Sequence, residues 1–239
     1  MRKHAPPSIA LALCIASSAM AQDKTQDKTQ DKTQDKTQDK TKDDIDALRE
    51  QGYSVRMISP IFNQLVMLSF PKGFETVFEN TNGNRYTREA VLKGETVDQW
   101  TQMITVTGAK GLAASPDLSA QSVVEQIASG FKGACPDTFS ANAVGAMKIS
   151  GRDAFAAWAS CGTVQSDEPK HSESALLIAI KGTADYYTIQ WAERDPASSQ
   201  PIAFNDERWK DRLDKLKPIK LCRLIPREAP LYPSCVNQK

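Results

Sequence analysis

One histidine has neighbours whose side chains could support catalysis. His171 lies in the segment SDEPKHSES, residues 166–174, and is surrounded by Asp167, Glu168, Ser172, Glu173 and Ser174. A serine activated by a histidine and a carboxylate can attack an acyl group, and carboxylates with an imidazole can hold a metal ion. Either site needs partners from distant parts of the fold, because adjacency in sequence does not supply hydrogen-bond geometry. The interpretation that we favour is a solvated polar hairpin loop.

The rest of the sequence offers little for a hydrolase. His171 and His4 are the two histidines, and none of the motifs GxSxG, HExxH, GxxxxGK or GxGxxG occurs. We therefore predict no catalytic residue, no metal site and no cofactor, and a protein that binds rather than one that catalyses. The alternative is an envelope hydrolase that uses His171 with Ser172 or Ser174.

The cysteines indicate an oxidising compartment. Four of the five lie beyond residue 21: Cys135, Cys161, Cys222 and Cys235. An even number in an exported chain argues for two disulfides with three connectivities, and neither a CxxC motif nor zinc-site spacing to a histidine is present. We favour Cys135 with Cys161 and Cys222 with Cys235, which would close loops of about 25 and 12 residues. The second bridge would staple a tail in which three prolines forbid regular structure.

The first 21 residues have the layout of a secretory signal. A basic start at residues 2–4 precedes a short apolar run at residues 9–15, and Ala19-Met20-Ala21 is a small-x-small cleavage pattern. The apolar run is too short for a transmembrane segment. We predict cleavage after Ala21 and a periplasmic or secreted protein.

The alternative for the N-terminus is a lipid anchor at Cys14. Leu11-Ala12-Leu13-Cys14 resembles a lipoprotein cleavage motif, although Leu13 is not the small residue that normally precedes the cysteine. Cleavage after Ala21 would take the counts of basic and acidic residues from 30 and 29 to 28 and 29, a formal charge of −1. Such a balance is not typical of a nucleic-acid-binding protein.

Residues 22–41 repeat the tetrapeptide QDKT five times. A helix would stack Asp23 under Asp27 and Lys24 under Lys28, which places like charges at the destabilising i,i+4 spacing. The repeat has no apolar side chain to bury, so we predict a disordered linker over residues 22–42. The repeat is a spacer, a segment that binds a partner, or a tandem duplication without a role.

Residues 43–239 are predicted to form one α+β domain. Residues 43–56 are a short helix or more linker, and QLVMLSF (64–70) is a strand. Asn82-Gly83 predicts a β-hairpin, and a strand follows at residues 103–107, ending at Gly108. A helix is expected from Ser115-Pro116, with an apolar stripe formed by Ala120, Val123, Val124, Ile127, Ala128 and Phe131.

The second half of the domain continues the pattern of strands. Strands are predicted at residues 143–150, 154–161 and 174–181, and the last of these should be central because it is apolar throughout. A further strand at YYTIQWAER is followed by a helix from Asn205 that ends before Pro218. Short turns between strands predict an antiparallel sheet of about six or seven strands with two packed helices.

This order of elements resembles the PsbP/Mog1-like architecture, to which DcrB-like periplasmic proteins belong. The block Gly94-Glu95 followed by Trp100-Thr101-Gln102-Met103-Ile104-Thr105-Val106 is similar to stretches of small exported bacterial proteins of unknown function. The resemblance covers about residues 60–217. It implies a PsbP/Mog1-like sandwich and carries no catalytic residue across.

Aromatic side chains are the remaining candidates for ligand or partner contacts. Trp100 is either a core anchor or a ligand-facing residue. Alternation places Tyr187 and Trp191 on one face of their strand and Tyr186 on the other, so one face at most could present a ligand. Core packing is the favoured role for Trp191. The partner would be another envelope protein, a small apolar ligand, or a toxin that the protein neutralises as an immunity protein.

Overall fold

The computed structural model describes residues 47–48, 55–165 and 169–237. The predicted signal sequence, Cys14, the QDKT repeat and three positions of the 166–174 segment lie outside these ranges. Contacts between Cα atoms place Ile45–Lys239 in one compact unit. None of the helices in the described ranges is long and apolar enough to span a bilayer.

Beyond the helical residues Ala47 and Leu48, the described residues contain ten strands and three helices. The strands are β1 (Val55–Ile61), β2 (Gln64–Phe70), β3 (Phe74–Asn82), β4 (Arg85–Leu92), β5 (Gln102–Ala109), β6 (Phe139–Ile149), β7 (Arg152–Cys161), β8 (His171–Lys181), β9 (Tyr186–Pro196) and β10 (Lys220–Arg223). The helices are α1 (Ala120–Ala134), α2 (Asp206–Leu216) and α3 (Pro233–Val236), with a short 3₁₀ turn at Leu112–Ala114.

The strands form two antiparallel sheets. The large sheet has seven strands in the order β3-β4-β5-β9-β8-β7-β6, and the small sheet has the order β1-β2-β10. The predicted α+β class and the antiparallel sheet of six or seven strands are confirmed. The separate small sheet was not predicted, because its third strand joins β2 from more than 140 positions away in sequence.

Both outer strands of the small sheet correct the sequence analysis. Residues 55 and 56, which were read as helix or linker, begin β1, and β10 lies in the tail expected to lack regular structure. Contrary to the prediction, the prolines of that tail do not exclude regular secondary structure. Pro233 begins α3, where its missing N–H is not needed for an intrahelical hydrogen bond.

Each face of the large sheet carries its own apolar cluster, as β-strand alternation requires. On one face, Ile178 and Trp191 pack with Trp209 of α2 and with Val66 of the small sheet. On the other face, Leu177 packs with apolar side chains of α1. The two predicted helices therefore lie on opposite faces of the sheet. The residues from 174 to 180 of β8 are buried on both faces, as predicted for a central strand.

Helix α1 begins later than predicted. Ser119, rather than Ser115, caps it: the Ser119 Oγ accepts a hydrogen bond from the backbone N–H of Ser122 at 3.0 Å, and the Ser122 Oγ accepts one from Ser119 at 2.9 Å. Such a reciprocal pair satisfies two N–H groups that the first turn leaves open. Ser115 instead ends the 3₁₀ turn. The apolar stripe was predicted correctly, with Ala128 half-buried and the other five side chains buried.

Helix α2 begins where the sequence predicted, with the Asn205 Oδ1 accepting from Arg208 N at 2.8 Å. The helix is joined to β9 by Glu193, whose side chain is only 3% exposed. The Glu193 carboxylate pairs with Arg208 and accepts from Arg212 Nε at 2.5 Å. Because two guanidinium groups neutralise it, this buried carboxylate orients α2 on the sheet.

The turn between β8 and β9 connects the two sheets through a buried carboxylate. Asp185 accepts hydrogen bonds from Gly111 N at 2.7 Å, from Asn63 Nδ2 at 3.0 Å and from the Tyr187 hydroxyl at 3.3 Å. Asn63 belongs to the β1–β2 turn, and Gly111 follows β5. Asp185 thus ties three loops that are distant in sequence.

Two positions require glycine, one for the backbone conformation of a turn and one for close packing of the two sheets. Gly83 forms the predicted hairpin turn between β3 and β4 with φ of 58°. Gly108 does not end its strand, as we predicted, but lies inside β5. A Cβ atom there would lie 2.5 Å from Ile61 Cγ2, so only glycine lets the small sheet pack this closely.

Both disulfides in the structure have the favoured pairing. Cys135 at the end of α1 is bonded to Cys161 at the end of β7, and Cys222 of β10 is bonded to Cys235 of α3. The first bridge fastens α1 to the large sheet. The second joins the short terminal helix to the small sheet.

Candidate binding face

His171 is not in a solvated loop. It is the first residue of β8 and is half-buried, and alternation turns Ser172 and Ser174 to the opposite face of the sheet. The Ser172 hydroxyl donates to the Asp195 carbonyl at 3.1 Å, and the Ser174 hydroxyl donates to Ser160 Oγ at 2.8 Å. The serine–histidine arrangement that we considered for a hydrolase is therefore not formed.

The contacts of His171 lead to Trp100. The Nε2 of His171 lies 3.8 Å from the Glu173 carboxylate, and this interaction raises the pKa of His171 above its ordinary value of 6.5. Glu173 accepts from Arg194 Nε at 3.0 Å, and the Arg194 guanidinium lies 3.8 Å from the centre of the Trp100 ring. Two of the candidate contact residues are thus joined through a pair that the sequence did not reveal. We call these four residues the end cluster.

Of the two roles predicted for Trp100, core packing is not observed and ligand contact stays a prediction. Its side chain is half-buried, so it is not a core anchor, and Arg194 stacks on its ring, which is the geometry of a cation–π contact. Its neighbours in the block behave as expected. Met103 is buried, and Gly94 has the positive φ of 87° that a turn requires.

Tyr187 and Trp191 are buried and face the α2 side of the sheet. The Tyr187 hydroxyl lies 3.2 Å from the Ile61 carbonyl, and Trp191 Nε1 donates to Gln102 Oε1 at 3.2 Å. Trp191 therefore packs in the core, as favoured from the sequence, and Tyr187 is interior as well. Tyr186 faces the other side, as predicted, and its hydroxyl donates to the Leu118 carbonyl.

The α1 side of the large sheet is covered unevenly. Helix α1 packs over β6, β7 and β8. Strand pairing places a row of polar side chains next to this covered region, because residues directly opposite each other point to the same face. The row runs from Leu177 beneath α1 through Gln190 and Thr105 to Glu89.

A second row lies beside the first. It runs from Thr188 through Thr107 to Thr87, and the hydroxyls of Thr188 and Thr107 are 2.6 Å apart. Leu177 and Thr188 are buried, and the other side chains of both rows are half-buried. We define the open face as the five half-buried residues Thr87, Glu89, Thr105, Thr107 and Gln190. The end cluster lies on the same side of the sheet, since Glu173 pairs with Cys161 of the α1-side cluster.

The open face was missed in the sequence analysis. A signal for it existed: ITVT in β5 and YYTIQW in β9 alternate apolar and polar residues, which marks one side of each strand as polar. The sequence did not show that these polar sides adjoin one another. It also did not show that α1 stops short of them.

Glu89 is the charged residue of the open face. Burial raises the pKa of its carboxyl group. Opposite it on β3 lies Phe78, whose side chain is 41% exposed. The next residue along β4, Arg88, points to the other side and donates to Glu79 at 2.7 Å and to Ser59 at 2.6 Å. A half-buried carboxylate and an exposed aromatic ring therefore lie side by side.

A separate cleft of about 390 Å³ lies where the N-terminus of α1 meets the β6–β7 hairpin. Ser119, Gln121, Met147 and Phe155 are among its lining residues. Its charged pair, Lys148 and Asp153, is joined at 2.5 Å and largely exposed. In the described part of the chain, no group of three histidine, cysteine or acidic residues could hold a metal ion.

Comparison with known proteins found similar solved structures but no similar family model or curated sequence. No family model matches the chain, and no curated protein matches its sequence. The Ran-binding protein Mog1p of Saccharomyces cerevisiae matches 70% of this chain and 86% of its own, with 10% identity and a TM-score of 0.38. CyanoP, the PsbP of the cyanobacterium Synechocystis, matches 72% of this chain and 92% of its own, with 10% identity and a TM-score of 0.42.

A third neighbour is a protein of Bacteroides thetaiotaomicron. It matches 72% of this chain and 49% of its own, with 13% identity and a TM-score of 0.36. The three neighbours are consistent with the PsbP/Mog1-like fold expected from the sequence. At these identities and TM-scores the likeness concerns the fold, and we base no argument about function on it.

Proposed function

We propose that this protein is an exported, non-enzymatic binding protein that holds its partner against the open face. One observation carries the proposal: α1 packs over β6, β7 and β8, and five polar side chains remain half-buried beside it. Short hydroxyl and amide side chains on a sheet are held rigidly and can both donate and accept hydrogen bonds. A partner can therefore bind there without a change in the fold.

The end cluster extends the same surface with charged and aromatic groups. Arg194, which contacts Trp100, lies on the same side of the sheet, four residues along β9 from Gln190. Arginine and tryptophan are enriched among residues that dominate binding energy. Their stacked arrangement is held by Glu173, so both are in place before a partner arrives.

Site-specific photo-crosslinking tests this proposal. A photoreactive amino acid would replace Thr105 or Gln190 of the open face, and a control would place it at Gln126, on the exposed side of α1. In intact cells we expect a discrete adduct from the two open-face positions and none from the control position. An adduct that forms from Gln126 alone, or no adduct from either open-face position, would contradict the proposal.

Export is the second part of the proposal and rests on the sequence of residues 1–21. We expect the mature protein to begin at Gln22 and to contain no free thiol. Intact-mass spectrometry with and without thiol alkylation measures both properties. A mature chain that retains residues 1–21 and alkylates at its cysteines would contradict export.

A further inference from the structure

Glu89 is half-buried with no cation to offset the cost of its burial. Burial is what raises the pKa of its carboxyl group, and no described residue donates a hydrogen bond to it or pairs with it. Its neighbours across the strands, Thr105 and Phe78, carry no charge. Removing a carboxylate from water without a partner is unfavourable. In the free protein, no ion pair or hydrogen bond from a described residue compensates the desolvation of the Glu89 carboxylate.

The two arginines of the β3–β4 hairpin either point to the other side of the sheet or lie far from Glu89. Arg88 points to the opposite side of β4 and is bonded to Glu79 and Ser59. Arg85 shares the side of Glu89 but lies four positions along the strand, about 13 Å away at the usual rise per residue. Neither arginine supplies the missing positive charge.

We propose that Glu89 and Phe78 form a recognition site for a lysine or arginine side chain on an extended segment of a partner protein. The inference rests on the proposed function and names the chemistry of the partner. The carboxylate of Glu89 accepts hydrogen bonds from the incoming cation. The ring of Phe78 adds a cation–π contact, and the Thr105 hydroxyl and the Gln190 amide oxygen can accept further hydrogen bonds.

The position of the site favours a protein segment over a small amine. Strand β3 is the edge of the large sheet, and no strand lies on its outer side within the described residues. Its residues from Thr76 to Asn82 are exposed, so a segment can lie along this edge and reach over Phe78 to Glu89. The bulge between Thr76 and Phe78 interrupts the pairing of β3 with β4, and the register is regular from Phe78 to Asn82. Small ligands, by contrast, prefer enclosed cavities.

The test uses two short synthetic peptides that differ in one atom group. Both alternate threonine and valine. One carries a central arginine, and the other carries citrulline, its neutral isostere. Backbone amide shifts of the ¹⁵N-labelled full-length protein would be followed during titration with each peptide. We expect the shifts to centre on Phe78 and Glu89, and the arginine peptide to bind about tenfold more tightly, as for a gained charge-assisted hydrogen bond.

Matched variants assign the effect to the two residues. Glu89→Gln should weaken binding of the arginine peptide about tenfold, and Phe78→Ala about threefold. Glu125→Gln on the exposed side of α1 should leave binding unchanged. Glu89→Gln removes a carboxylate that burial disfavours, so it should be no less stable than the parent protein. A loss of binding would then not reflect unfolding.

Several results would overturn the inference. Equal binding of the arginine and citrulline peptides, unchanged binding by Glu89→Gln, or no shift with either peptide at millimolar concentration would each do so. If ethylguanidinium alone binds as tightly as the arginine peptide, the ligand is a small cation and the assignment to a protein segment is wrong. If open-face crosslinks persist in Glu89→Gln at full yield, the open face binds its partner but Glu89 does not recognise it.

Discussion

The Cys135–Cys161 disulfide should contribute a large part of the global stability of the domain. The bridge joins the end of α1 to the end of β7, and its two cysteines are 26 positions apart. In the chain-entropy model, a loop of this size corresponds to about 3.5 kcal/mol of stabilisation near room temperature. The double variant Cys135→Ala, Cys161→Ala should therefore lose about 3.5 kcal/mol of the free energy of unfolding.

The second disulfide supplies the matched control. Cys222 and Cys235 are 13 positions apart, which corresponds to about 2.9 kcal/mol in the same model. The two bridges differ little in loop entropy but differ in what they hold. The first connects the covering helix to the end of β7 in the seven-stranded sheet, whereas the second holds α3 against β10 at the margin of the small sheet. Removal of the second bridge should open the tail before the domain unfolds.

Urea denaturation followed by tryptophan fluorescence measures the global effect. Trp158 and Trp209 are buried with ring centres 6.3 Å apart, so their emission reports on the main core. We expect a lower urea midpoint for the first double variant with an unchanged slope. Apart from cleavage in the lysine-containing QDKT repeat, limited trypsin digestion should cleave the second double variant first at Arg223 or Arg227. The reasoning would be refuted if the first double variant kept the parental midpoint, or if its tail were the first site of cleavage.

Three further perturbations test the packing and the electrostatics. Gly108→Ala should destabilise the protein by about 1–3 kcal/mol in thermal unfolding, because the added Cβ atom meets a side chain of the small sheet. Gly133→Ala is the control: the space around this residue of α1 is open, so the variant should be as stable as the parent protein or more stable by up to about 1 kcal/mol. Glu193→Ala should lower the free energy of urea unfolding by about 2–4 kcal/mol, less than a fully buried pair would, because one of its two arginines is 38% exposed. Because the pKa of His171 is raised in the folded protein, its protonation stabilises the fold fully below pH 6.5, and this stabilisation is lost as the pH rises through the folded-state pKa. Glu173→Gln should therefore make the melting temperature depend less on pH. An unchanged pH profile would show that Glu173 does not cause the raised pKa of His171.

Local patterns were enough to predict most of the elements. The Asn82-Gly83 turn, the buried strand β8 and the Asn205 cap each depend on residues within a few positions of one another; the turn and the cap were predicted at their observed places, and β8 begins three residues before the predicted start at residue 174. The start of α1 was misplaced because Ser115-Pro116 fits the pattern of a helix start, whereas Ser119 caps the helix. The hydrogen bonds between Ser119 and Ser122 decide in favour of the later one.

The candidate sites were harder to predict because they depend on which strands are neighbours. His171 and Trp100 were both singled out and Glu173 was named beside His171, but nothing in the sequence indicated Arg194, which joins Glu173 to Trp100. Tyr187 and Trp191 were placed correctly on one face, yet nothing in their alternation showed that this face is the core. The hydrolase alternative failed for a related reason, since a histidine and an adjacent serine in a strand point to opposite sides.

The sequence by itself determined the α+β class and the alternation of each strand, because these properties depend on composition and on short spacings along the chain, and it favoured one of three cysteine connectivities. Only the tertiary structure decided that β5 pairs with both β4 and β9, and that α1 covers one half of the resulting face. The open face and the uncompensated charge of Glu89 follow from those two choices. The physical reason is that coverage and desolvation arise from contacts between residues far apart in sequence, which no local pattern encodes.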